Sequence, residues 1–161
     1  MKERSRMSLH AFVLSYALML VGLCVHEVGH LVVLFGMGKT GALIIMPWRS
    51  GLFNYNIYGL HVEPYPPLGT LDQAVLNFLG PIVAIIPFAL LLFYVKERVP
   101  RVAIIGNILV LVFFAVLESS YELLESALER EIGILGSPEF NIGVAVLILL
   151  SVIYWKIWKG H

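Results

Sequence analysis

The chain has 161 residues, 59% of them hydrophobic and only 14% charged, with a mean hydropathy of +0.87. Soluble domains average about 45–50% apolar and about 25% charged, and a chain this short exposes too much surface to hide the excess from water. Lipid is therefore the natural solvent. The formal net charge of +0 carries no electrostatic footprint for a nucleic-acid partner.

In chain order, the first segment opens on Lys2, Arg4 and Arg6 and then runs apolar to Phe35. The run far exceeds the 7–15 residues of a signal-peptide core and contains no A-x-A-like cleavage site, so it reads as a retained membrane helix over residues 11–35. Its one cysteine, Cys24, has no second thiol with which to form an internal disulfide. Three further segments are apolar over helical lengths: residues 71–95, 102–117 and 140–158. Apolar positions continue at helical spacing past the third, through Tyr121, Leu123 and Leu124, so that helix is expected to run on beyond the membrane.

Between the first two spans, Ala42-Leu43-Ile44-Ile45-Met46 and Phe53-Asn54-Tyr55-Asn56-Ile57-Tyr58 are rich in β-branched and aromatic residues and flank the turn-like Arg49-Ser50-Gly51. This predicts a β-hairpin over about residues 41–61. Pro64, Pro66 and Pro67 are expected to end it. Its apolar character suits membrane depth, where such backbone must be covered by protein or face a watery cavity. The expected fold is thus an all-α membrane protein: one integral membrane domain over residues 1–161, with about four transmembrane helices and a membrane-associated β-hairpin loop.

Basic residues are unevenly placed. Lys2, Arg4, Arg6, Lys96, Arg98, Arg101, Lys156 and Lys159 fall on one side of this topology, against Lys39, Arg49 and Arg130 on the other. The positive-inside rule then puts both termini in the cytoplasm. Glu122, Glu125, Glu129, Glu131 and Glu139 lie on the opposite side, where acidic residues steer topology little.

The chemistry concentrates in His26-Glu27-Val28-Gly29-His30. Histidines four apart share one helix face, so both imidazoles can bind one zinc ion, with Glu27 beside them to accept a proton from water. Even the lowest scales charge roughly 2.5–3.5 kcal/mol for an ionisable residue at the centre of a span, so a function is expected. The competing reading is a polar trio satisfied by hydrogen bonds between helices.

A zinc hydrolase site wants a third protein ligand and an open position. At a rise of about 1.5 Å per residue, His26 lies roughly 22 Å along the first span and Glu118 roughly 24 Å along the third, from the same membrane face. Glu118 is therefore the favoured third ligand, with Glu122 in reserve one turn on, and His61 and Asp72 as further alternatives. In the second span, Asn77 supplies a donor and acceptor at this level. Gly80 permits close backbone approach, and Pro81 removes a hydrogen bond to the carbonyl of Asn77, which predicts a kink. Asn77, Gly80 and Pro81 are read as substrate-positioning residues, against a simple packing role for the last two.

Together these residues resemble the site-2 protease family of intramembrane zinc metalloproteases. His26-Glu27-x-x-His30 matches its metal motif, Gly80-Pro81 resembles its Gly-Pro element, and the intervening loop its membrane-reentrant hairpin. Asn107 followed by Glu118 is similar to its third core helix. The family's acidic ligand is usually an aspartate in Leu-Asp-Gly, where this chain has Leu117-Glu118-Ser119, and the asparagine often found soon after Gly-Pro is replaced here by Ile82, Val83 and Ala84. The resemblance implies a zinc metalloendopeptidase that cleaves membrane-protein or membrane-adjacent peptides, with the lipid bilayer as its medium. It also implies the membrane orientation opposite to the charge count. The alternative is a non-catalytic membrane protein: an inactive relative, or a small metal-binding or partner-binding subunit.

Overall fold

The computed structural model describes residues 2–52, 54, 56–130 and 132–159. It is mostly helical: α1 (Lys2–Gly36), α2 (Thr70–Tyr94), α3 (Arg98–Leu128) and α4 (Pro138–Ile153), the last continuing as a π-helical stretch, Tyr154–Lys159. Between α1 and α2 lies an antiparallel hairpin of β1 (Thr40–Arg49) and β2 (Asn56–Tyr65). Among the described residues, four helices are long and apolar enough to cross a membrane, as a multi-pass membrane protein requires. Of the expected elements, Phe53 and Tyr55 of the second strand and Glu131 lie outside the described residues.

Helix ends follow local chemistry. α1 begins well before residue 11, because nothing between Lys2 and Ala11 breaks a helix. It stops where Gly38 takes a positive φ of 70°. There Lys39 N–H bonds Leu34 O at 3.0 Å and Gly38 N–H bonds Phe35 O at 3.0 Å, the paired bonds of a Schellman cap. α3 continues to Leu128, as the apolar spacing beyond its span predicts. α4 starts two residues before the expected 140: the Ser137 hydroxyl caps Phe140 N–H, and Pro138 occupies the first turn, where its missing N–H costs nothing. α2 stays helical through both Pro81 and Pro87.

The hairpin corrects one expectation. Pro64 does not end β2 but pairs with Gly41 inside it, and Pro47 pairs with Tyr58. The N–H of Val62 points away from β1, to Glu27. By the two-residue alternation of an antiparallel ladder, the nitrogens of Pro64 and Pro47 also face outward. No ladder bond is lost at either proline, which is how proline is tolerated in edge strands.

α1, α2 and α3 pack mutually, and α4 lies against α3 and α1. Ala84, Phe88, Ile104 and Leu111 join α2 to α3, while Met19, Val110, Phe114, Ala145 and Leu149 join α1, α3 and α4. Buried Asn107 donates from Nδ2 to the carbonyls of Ser15 and Ala103, tying α3 to α1. Val62 seats the hairpin on Val33, Leu34 and Leu76. The hairpin's far end is fastened separately. Trp48 Nε1 donates to Gly136 O at 2.7 Å, and the Glu139 carboxylate accepts from the Ser50 hydroxyl and from Leu52 N–H.

Candidate metal centre

His26 and His30, four residues apart on α1, are both buried and turn the same way. Their Nε2 atoms stand 2.7 Å apart. Glu118, on α3, reaches them from across the helix interface. Its Oε2 lies 3.3 Å from His26 Nε2 and 3.5 Å from His30 Nε2. Two residues 92 positions apart in sequence thus meet at one level, as their depths along separate helices require. Phe114, one turn before Glu118, stacks on the His26 ring with centroids 6.0 Å apart and holds its plane.

The approach of α2 makes room for this. A Cβ on Gly29 would collide with the carbonyl of Gly80, and a Cβ on Gly80 would strike the His30 ring. The two glycines let the α1 and α2 backbones touch directly behind the histidine. Pro81 is buried beside them and lines no part of the open cavity. Its position supports packing.

The open side is a cavity of about 410 Å³. Glu27, His30 and Glu118 line it, with His61 and Val62 on the hairpin wall and Gln73 and Asn77 on the α2 wall. Glu27 does not join the trio. Its Oε2 accepts from Val62 N–H at 3.1 Å, so the outer edge of β2 orients the carboxylate in the cavity wall. Of the reserve ligands, Glu122 and His61 line the cavity without joining the converging atoms, and Asp72 is exposed in the first turn of α2.

Among the described residues, His26, His30 and Glu118 are the group of histidine and carboxylate ligands whose donor atoms converge, all within 4.8 Å of one another. Bond lengths of about 2.0–2.2 Å in a tetrahedron put zinc ligand atoms roughly 3.3–3.6 Å apart. The two histidine–carboxylate distances match. The histidine pair is closer, at the separation of an N–H···N hydrogen bond that one neutral ring can donate to the other. The donor types, their convergence and the cavity on one side fit a three-ligand site with an open position.

The sequence does not single out Val62, Gln73 or Tyr121, all of which line the cavity. Val62 acts through its backbone, for which side-chain identity carries no signal. Gln73 lies one turn before Asn77, a spacing that could have flagged it.

No family model, curated protein or solved structure matches this chain.

Proposed function

We propose that this protein is an intramembrane zinc metalloprotease that hydrolyses peptide bonds in or beside membrane spans, similar in kind to the site-2 proteases. The observation that carries the reading is the separation of roles among four ionisable groups. His26, His30 and Glu118 converge, while Glu27, next in sequence to His26, is held apart by Val62 and faces the cavity. A structural metal site has no use for that second carboxylate.

His26, His30 and Glu118 would hold the ion. Bound there, zinc supplies Lewis acidity, polarising a carbonyl and bringing the pKa of water to about 7. Glu27 takes the proton of the attacking water on its carboxylate and returns it to the departing amine nitrogen. Val62 N–H keeps that carboxylate aimed while the hairpin stays docked. A helical substrate hides its amides in internal bonds, so the reacting segment enters extended. The free edge of β2 offers the carbonyls of Leu60, Val62 and Pro64 for strand addition, since the ladder turns them outward.

The charge distribution supports an orientation with both termini in the cytoplasm. Arg4 and Arg98 bind carbonyls of Trp158 and Lys156, gathering the basic residues at the bundle end opposite the hairpin. That orientation sets the site toward the outer face.

A second reading is a non-catalytic membrane protein in which the trio satisfies itself; the short His26–His30 contact favours it. Metal analysis and a cleavage assay on the purified protein separate the two. The protease reading expects one zinc per chain and cleavage of a transmembrane substrate that chelation abolishes. Glu27→Gln should keep the zinc and lower turnover by about 10²–10⁴-fold, the usual worth of a general base. Undiminished cleavage by that variant, or protein devoid of zinc after growth in zinc-replete medium, would sink it.

A further inference from the structure

Gln73 and Asn77 sit one turn apart on the cavity face of α2. The next positions around the helix, Leu71, Ala74, Val75, Phe78 and Leu79, line an apolar groove on its other side. Gln73 Nε2 donates to Asn77 Oδ1 at 2.9 Å. A polar pair that served packing would bridge to α1 or α3, as Asn107 does; this one bonds within its own helix and faces the cavity. Each side-chain amide has two N–H donors and a two-lone-pair oxygen. Their mutual bond consumes one donor and one acceptor. Whichever amide donates, one carbonyl oxygen and one NH₂ group stay outside that bond, on two neighbouring residues that line the cavity.

An extended peptide residue presents its own N–H and C=O side by side on one edge. We infer that Gln73 and Asn77 form a backbone-reading clamp: their spare oxygen and NH₂ bind the N–H and C=O of one extended residue of the substrate, facing the β2 edge across the cavity. The inference rests on the peptidase reading and names its substrate class. The clamp reads main chain, so it accepts varied side chains but rejects intact helix, whose amides are already bonded. Cleavage then selects segments that unwind easily, and Gln73 becomes a positioning residue as important as Asn77.

Binding to zinc-loaded Glu27→Gln protein in detergent tests this without turnover. A fluorescent substrate peptide is compared with a series in which single backbone N–H groups are replaced by ester oxygens. One ester position should weaken binding about fivefold to tenfold, the worth of one hydrogen bond. Gln73→Met and Asn77→Leu, each added to that protein, should weaken the all-amide peptide by a similar factor with zinc content unchanged. In the Gln73→Met background the ester penalty at that position should vanish.

The clamp is overturned if no ester position costs more than twofold, a result that needs no variant at α2. It is also overturned if the penalty persists undiminished in Gln73→Met. Cleavage by the parent protein and its loss in Glu27→Gln would leave the peptidase reading standing in either case. A parent that binds the peptide with the predicted ester pattern but never cleaves it would refute the peptidase reading alone.

Discussion

Gly80 of α2 lies flat against the imidazole of His30: a Cβ built on it would stand 2.5 Å from Nδ1 and 2.7 Å from Cε1 and Cγ. No rotamer change relieves such a contact without moving the ring, because the ring is itself buried between α1 and α2. The space that holds His30 in place is therefore a missing side chain.

Gly80→Ala should accordingly displace His30 and weaken zinc binding by roughly 10–100-fold, the effect of disturbing a ligand's support. Competition with a chelating dye measures this. Unchanged affinity would show that α2 does not set the ring.

Gly29→Ala meets backbone, the carbonyl of Gly80, and backbone cannot step aside as a side-chain tip can. Separation of α1 from α2 should cost about 1–3 kcal/mol, as overpacking generally does. Asn107→Leu makes the contrast. Of the two bonds it removes, the one to Ser15 O joins helices and the one to Ala103 O lies within α3, and interhelical bonds in membranes average about 0.6 kcal/mol. Unfolding in mixed micelles should rank the glycine variant as clearly the less stable, with zinc content normal in Asn107→Leu.

Glu118 and Glu122 are one turn apart, yet only Glu118 converges on the histidines. Glu118→Ala should lower zinc below one per chain, while Glu122→Gln should leave it at parity. Equal zinc loss in both variants would shift the ligand assignment toward a shared carboxylate cluster.

The hairpin is seated at one end by Val62 and fastened at the other by Glu139 and Trp48. Glu139→Ala removes the acceptor for Ser50 and Leu52. Faster amide exchange is expected around residues 48–52, with zinc content unaltered. Because Val62 also aims Glu27, turnover should fall before zinc affinity does. Exchange rates equal to the parent's would mean that the fastening contributes nothing to the hairpin's order.

Much of this architecture is legible in the sequence. Four apolar stretches of spanning length need helices, since lipid leaves backbone groups no other partner. The i, i+4 spacing of His26 and His30 puts them on one face whatever the tertiary fold, and common depth along two helices brings Glu118 within reach. These are properties of periodicity and rise, carried by local sequence. Pro64 departs from its local rule for a related reason: proline forbids a ladder bond, but whether a bond is wanted at position 64 depends on which edge faces the partner strand.

The tertiary structure decided what no spacing encodes. It alone set Val62 N–H on Glu27, since a backbone donor looks the same at every residue, and it alone brought Gln73 and Asn77 to the cavity wall. It also chose Glu118 over Glu122, because a shift of one turn moves a carboxylate about 6 Å along the axis, a difference that helix packing resolves and composition does not.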